Sequence, residues 1–320
     1  MNPASSTPEK ITLHTDDGHA LAAMRYPASG TPRGHLVVAG ATGVPQLFYR
    51  NFAVFAAAQG YTTLTLDYRG IGLSKPSTLR GFRMRYLDWA RFDLGAAVAA
   101  MTSDTLPLFM IGHSFGGHAF GLLPNHRKVA RFYTFATGAG WHGWMPALEQ
   151  WKVKIMWNIL GPLMTRWKGY LAWSKLGMGE DLPLDVYTDW KRWCSYPRYF
   201  FDDPSMGAEV QDLFDDVTTP IIAANATDDL WAPPASRDAF MAGYRYTDLQ
   251  AVDIDPKRSG LGAIGHMGYF RRQAQPLWED ALRWFGEYRR PAVATASIAT
   301  ATSAPAGSTG PAQLAVALPA

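Results

Sequence analysis

Short apolar runs recur along this chain, separated by longer segments in which apolar residues return every three or four positions. HLVVA (35–39), TTLTLD (62–67), LPLFMI (106–111), VARFYTFA (129–136), TPIIAAN (219–225) and LQAVDI (249–254) read as strands covered on both faces, the pattern of central strands in a parallel sheet. Two earlier strands, 10–15 and 19–26, flank Asp16-Asp17-Gly18, a plausible hairpin turn. Helical periodicity falls near 47–59, 86–102, 115–123, 233–243 and 274–289. Such alternation predicts an α/β fold with a mostly parallel central sheet flanked by helices.

One interval breaks the rhythm. Residues 138–218 separate two adjacent strands, where a crossover needs only about a dozen residues. They predict an inserted helical cap between two parts of the core, 1–137 and 219–290. This interval holds eight of the twelve tryptophans. From Pro291 the last thirty residues carry no charge and are mostly small, which predicts a disordered tail.

Composition narrows the partners. With 48% hydrophobic and 18% charged residues the chain is globular, neither fibrous nor disordered. Thirty basic against 27 acidic side chains is too even a balance to suggest nucleic acid. The single Cys194 excludes a disulfide framework and a cysteine metal site. Together with an N-terminus lacking a charged-then-apolar leader, it predicts a cytoplasmic protein. The uncharged stretch 105–126 is broken by glycines and prolines, so we expect buried interior there and no stable membrane insertion. Residues 151–168, WKVKIMWNILGPLMTRWK, suit either a membrane surface or a packed cap helix. We read them as the latter.

The sharpest chemical signal is Gly112-His113-Ser114-Phe115-Gly116, placed after a strand and opening a helix. That context belongs to a nucleophile elbow, where a tight turn leaves no room for Cβ at the flanking positions and lifts the serine to the sheet edge. The partners of an elbow serine follow it in the order acid, then histidine. Of the histidines after Ser114, only His266, in Gly265-His266-Met267-Gly268, lies beyond the last strand. His118 is one turn down the elbow helix and is expected to point along it. Asp228 and Asp229 are both candidates for the acid. In proteins that carry such an elbow the acid is commonly followed four residues later by a proline opening the next helix, so a resemblance to them, with Pro233 at that spacing, would favour Asp229. An oxyanion hole needs two backbone N–H donors: one from Phe115, the other from Ala41 or, second, Thr42 in the loop after 35–39. Asp67-Tyr68-Arg69-Gly70-Ile71-Gly72-Leu73-Ser74 reads as a tight loop needing two glycines, whose residues shape it and do not react. Gly138-Ala139-Gly140-Trp141-His142-Gly143 matches a dinucleotide fingerprint only superficially, because Trp141 is too bulky and no acid-ended strand follows.

These motifs (GHSFGG, DYRGIGLS, NATDDLWAPP and GHMG) resemble those of the α/β-hydrolase superfamily across about 10–290. VAGATGVPQLFYRNFA and GMGEDLPLDVYTDWKRWCSYPRY are similar to a bacterial group of predicted α/β-hydrolases related to serine aminopeptidase and monoglyceride-lipase-like proteins. The resemblance implies the α/β-hydrolase fold and a Ser114–Asp229–His266 triad, with no metal and no cofactor. Ala39-Gly40 stands where that superfamily usually has His-Gly. The activity so implied is hydrolysis of an ester or related acyl bond in a small, apolar substrate. A peptidase, thioesterase, acyltransferase or cofactor-free oxidative enzyme on the same triad is the alternative, and a non-catalytic small-molecule binder a further one.

Overall fold

The apolar runs bury what their composition requires. In the computed structural model, which describes residues 7–177 and 179–290, every residue of the fourth and fifth strands is buried. The strands are β1 (Glu9–His14), β2 (Ala20–Tyr26), β3 (Gly34–Ala39), β4 (Tyr61–Leu66), β5 (Leu108–His113), β6 (Val129–Phe135), β7 (Ile221–Ala226) and β8 (Leu249–Ile254). They form one sheet in the order β1-β2-β4-β3-β5-β6-β7-β8. The β1–β2 and β2–β4 pairs are antiparallel, and from β4 through β8 all neighbours are parallel.

The helices are α1 (Arg50–Ala58), α2 (Gly95–Met101), α3 (Phe115–His118), α4 (Ala147–Ile155), α5 (Gly161–Lys168), α6 (Leu184–Trp193), α7 (Gly207–Asp215), α8 (Pro234–Met241) and α9 (Gln275–Gly286). One face of the sheet is covered through Phe52, Phe109, Trp278 and Phe285, the other through Trp89, Phe115, Phe132 and Trp193. Helices α4 to α7 all fall between β6 and β7, inside the predicted insertion. The described residues up to Tyr288 pack as one compact unit. The expected tail, from 291, lies outside the described residues. Among the described residues no helix is long and apolar enough to cross a membrane.

Three elements differ from expectation. The helix expected over 115–123 stops at His118 and gives way to a 3₁₀ turn, Phe120–Leu122. Gly116, Gly117 and Gly121 weaken it, and Pro124 forbids its continuation. The helix near 86–102 begins as a π-turn, Trp89–Leu94. β8 is an edge strand, so Gln250, Ala251 and Asp253 face solvent instead of a covering layer.

The loop after β4 is structural, as expected. The Arg69 guanidinium donates to Asp17 at 2.6 and 2.9 Å and to Asp93 at 2.7 Å, tying the β1–β2 turn to the π-turn. Asp67 accepts from the backbone of Gln46 and Leu73 at 2.7 and 3.0 Å. A Cβ on Gly72 (φ +50°) would collide with that carboxylate.

Candidate active site

The turn from β5 into α3 presents Ser114. Its φ of +53° is one of three positive values among the described non-glycine residues, a strained conformation costing about 1–3 kcal/mol. The neighbouring glycines explain how the turn is held: a Cβ on Gly116 would overlap the Ala39 carbonyl, and one on Gly117 the Thr137 hydroxyl. The Ser114 N–H donates to Phe135 O at 2.9 Å, fixing the turn to β6.

His266 sits above the serine. Its Nε2 is 3.1 Å from Ser114 Oγ, and its Nδ1 lies 3.1 and 3.0 Å from the two Asp229 oxygens. Because a carboxylate only accepts, Nδ1 carries the proton and the bare Nε2 accepts the serine O–H. Asp229 is fully buried and its Oδ1 accepts from the Trp231 and Ala232 N–H groups, both at 3.0 Å. Tyr269 donates to Oδ2 at 3.3 Å. Burial raises the Asp229 pKa, but the facing His266 and these hydrogen bonds outweigh it and hold the carboxyl below its ordinary range.

The two neighbouring aspartates divide the work. Asp229 faces the imidazole, whereas Asp228 accepts from the Ile264 and Gly265 N–H groups at 2.9 and 3.0 Å. It pins the loop that delivers His266.

A second chain of hydrogen bonds runs beneath, through residues that the sequence reading passed over. The His113 Nε2–H donates to the His266 carbonyl at 2.9 Å, so its Nδ1 must accept from Tyr49 Oη, also at 2.9 Å. Tyr49 Oη in turn accepts from the Ala41 N–H at 2.7 Å. This corrects one expectation: the Ala41 N–H is committed to Tyr49 and is not free to serve an oxyanion. Thr42, the next residue, lines the cavity beside Ser114. Its hydroxyl bonds Tyr86, whose ring stacks on Phe115 at 4.5 Å. His113 adjoins the serine and its type was the available signal; Tyr49 gave none.

His118 does not partner the serine hydroxyl. Its Nε2 donates to Gly138 O at 2.8 Å. Burial lowers the pKa of His113 to about 3 and of His118 to about 4, so both are neutral at pH 7.

Ser114 and His266 open onto two chambers. The outer, about 570 Å³, is walled by Phe48, Val44, Trp173, Trp190 and Trp231. The inner, about 40 Å³, is walled by Met145, Met156, Trp157 and Cys194, with His118 beside them. No Asp, Glu, Lys or Arg lines either chamber among the described residues.

Fold and site together define an α/β-hydrolase. A family model described as serine aminopeptidase, S33 (Hydrolase_4) matches residues 30–192. The chain belongs to that family and is an enzyme of the hydrolase class. Solved structures share the fold over nearly their whole length. A soluble variant of monoglyceride lipase from Saccharomyces cerevisiae, in complex with a substrate analogue, is 16% identical over 89% of this chain and 97% of its own, with a TM-score of 0.63. DcsB in complex with its substrate analogue is 17% identical (88% and 99% covered, TM-score 0.60). A thioesterase domain from the curacin biosynthetic pathway is 12% identical (87% and 100%, TM-score 0.55). No curated protein sequence matches the chain.

Proposed function

We propose that the chain is a serine hydrolase that cleaves esters of small, uncharged, largely apolar substrates through an acyl-enzyme, with α4 to α7 as a cap over the site. The observation that carries this reading is the unbroken Asp229–His266–Ser114 relay opening onto chambers whose described walls hold no charged side chain. Ser114 Oγ attacks the carbonyl carbon while its proton passes to His266 Nε2, and Asp229 stabilises the imidazolium. The oxyanion accepts from the Phe115 and Thr42 N–H groups. Collapse expels the alcohol, protonated by His266. A water deprotonated by the same Nε2 then releases the acid and restores the serine.

An ester-type bond is also what the lipase and thioesterase among the structural neighbours suggest. The family name raises the rival reading, an aminopeptidase. That reaction must hold a substrate ammonium group, and burying such a charge without a facing carboxylate is costly. The wall composition therefore favours the ester.

Two measurements test the proposal. A fluorophosphonate should label Ser114 stoichiometrically, and a His266→Ala variant should not be labelled. In turnover assays, p-nitrophenyl acetate and butyrate should exceed aminoacyl p-nitroanilides in kcat/KM. A preference for the anilides, or an adduct elsewhere than Ser114, would reject it.

A further inference from the structure

The cap carries a surface that hydrolysis does not use. α4, a π-turn at Met156–Leu160 and α5 join end to end through right-handed helical dihedrals at Ile155, Met156, Leu160 and Gly161. They make one rod, 147–168, about 33 Å long. Its inner side buries Val153, Met156 and Trp157, which roof the inner chamber. Its outer side exposes Leu148, Trp151, Ile155, Ile159, Leu163 and Trp167, from 44% at Ile155 to 72% at Trp167.

These six positions are spaced by three and then repeatedly by four. On an ordinary α-helix each four-residue step drifts by about 40°, which would wind the row around the rod. The wider π-turn in the middle takes back that drift. The result is a straight apolar stripe with a tryptophan near each end. Its flanks are cationic: Lys152, Lys154, Arg166 and Lys168 against a single acid, Glu149, already paired with Lys152 at 2.6 Å. Lys154 and Lys168 lie over the Trp151 and Trp167 rings, at 5.9 and 4.1 Å from their centroids.

We propose that this face docks on a lipid surface bearing anionic headgroups. The stripe enters the boundary between headgroups and acyl chains, while the lysine and arginine stems reach up to the phosphates. The rod lies on the surface and does not span it, consistent with the absence of a spanning helix among the described residues. Charge selects this occupant over a second copy of the chain: with Glu149 offsetting Lys152, a symmetric contact through the stripe would set a net three positive charges against three more, whereas anionic lipid neutralises them. Docking would bring the roof of the substrate chamber to a source of apolar esters. The docking itself does not depend on the reaction.

The test uses the full chain with vesicles of phosphatidylcholine, with and without phosphatidylglycerol, in a cosedimentation assay. Binding should be about tenfold or more tighter to the anionic vesicles and should weaken with added salt. Ser114→Ala should bind as the parent does, which separates docking from hydrolysis. Trp151→Ser with Trp167→Ser, and separately Lys154→Glu with Arg166→Glu, should each lose about tenfold or more, with thermal melts by circular dichroism confirming the fold. Three results would overturn the proposal: no preference for anionic vesicles, undiminished binding by both double variants, or a stripe variant that instead converts a dimer to a monomer in solution.

Discussion

The floor and the roof of the site are built on opposite physical plans. On the floor, the polar atoms of the relay and of the His113–Tyr49 chain have assigned partners: Asp229 accepts from His266, Tyr269 and two backbone N–H groups, and His113 and Tyr49 link the His266 loop to the loop after β3. The roof relies on apolar contact, as where the Trp190 ring meets Trp157 and Trp173 edge-on at 5.1 and 5.3 Å. Hydrogen bonds fix direction, and proton transfer needs direction. Apolar packing fixes volume and exclusion of water, which is what substrate choice needs. Substitutions in the floor should therefore act on kcat, and substitutions in the roof on KM.

The largest effect should come from removing the proposed nucleophile. Ser114→Ala should lower kcat for a p-nitrophenyl ester by about 10⁴ or more, with substrate binding little changed. Asp229→Asn should follow closely, at about 10³–10⁴, because an amide in place of the carboxylate permits the wrong His266 tautomer. Steady-state kinetics of both variants decide this. A loss confined to KM would place the floor and the roof on the same footing.

Tyr49→Phe probes whether the floor extends below the relay. It removes the hydroxyl that accepts from Ala41 and donates to His113. Two buried groups then lack partners, at about 1–3 kcal/mol each. We expect a lower melting temperature and a kcat reduced by about tenfold, since His113 holds the carbonyl of His266 itself. Equal kcat with a lower melting temperature would make Tyr49 structural only. On the roof, Trp190→Ala should raise KM for the larger esters by about tenfold, in line with the apolar area lost, and leave kcat within a factor of about two. Trp190 walls both chambers, so a fall in kcat instead would mean that the roof also orients the ester.

The division between floor and roof also governs what could be read from the sequence. The strands were legible because burial on both faces leaves an apolar run, and β4 shows that threonine serves when its hydroxyl finds a partner, as Thr65 does on Gln46 at 3.0 Å. Ser114 and His266 were legible because an elbow and a chain order constrain them. The commitment of the Ala41 N–H was not. It depends on a tyrosine eight residues later swinging back from the start of α1, and no local pattern encodes that contact. The 3₁₀ ending of the elbow helix was encoded, in Gly121 and Pro124, but the apolar periodicity of 115–123 overrode it. The exposed stripe on 147–168 was visible as alternating Trp, Lys and apolar residues. Which face is buried depends on the π-turn at Met156–Leu160, which shifts the register in mid-helix.

The smallest effect separates the buried histidines of the floor from ordinary ones. The pKa of His113 is lowered to about 3 and that of His118 to about 4, both by burial, whereas in the unfolded chain each titrates near 6.5. Their folded pKa values are depressed, so between about pH 6.5 and 4 the unfolded chain binds more protons and stability falls as pH falls. Each histidine contributes at most about 1.4 kcal/mol per pH unit over that window. His118→Phe should keep the ring packing against Tyr199 and Phe240, now at 4.6 and 4.5 Å, while forfeiting the bond to Gly138. The variant should be somewhat less stable at pH 7.5, yet its stability should decline less steeply toward pH 5 than that of the parent. Chemical denaturation at a series of pH values measures both slopes. Parallel slopes would show that His118 takes up protons in the folded protein as it does in the unfolded chain, and that the inner chamber is more polar than its walls suggest.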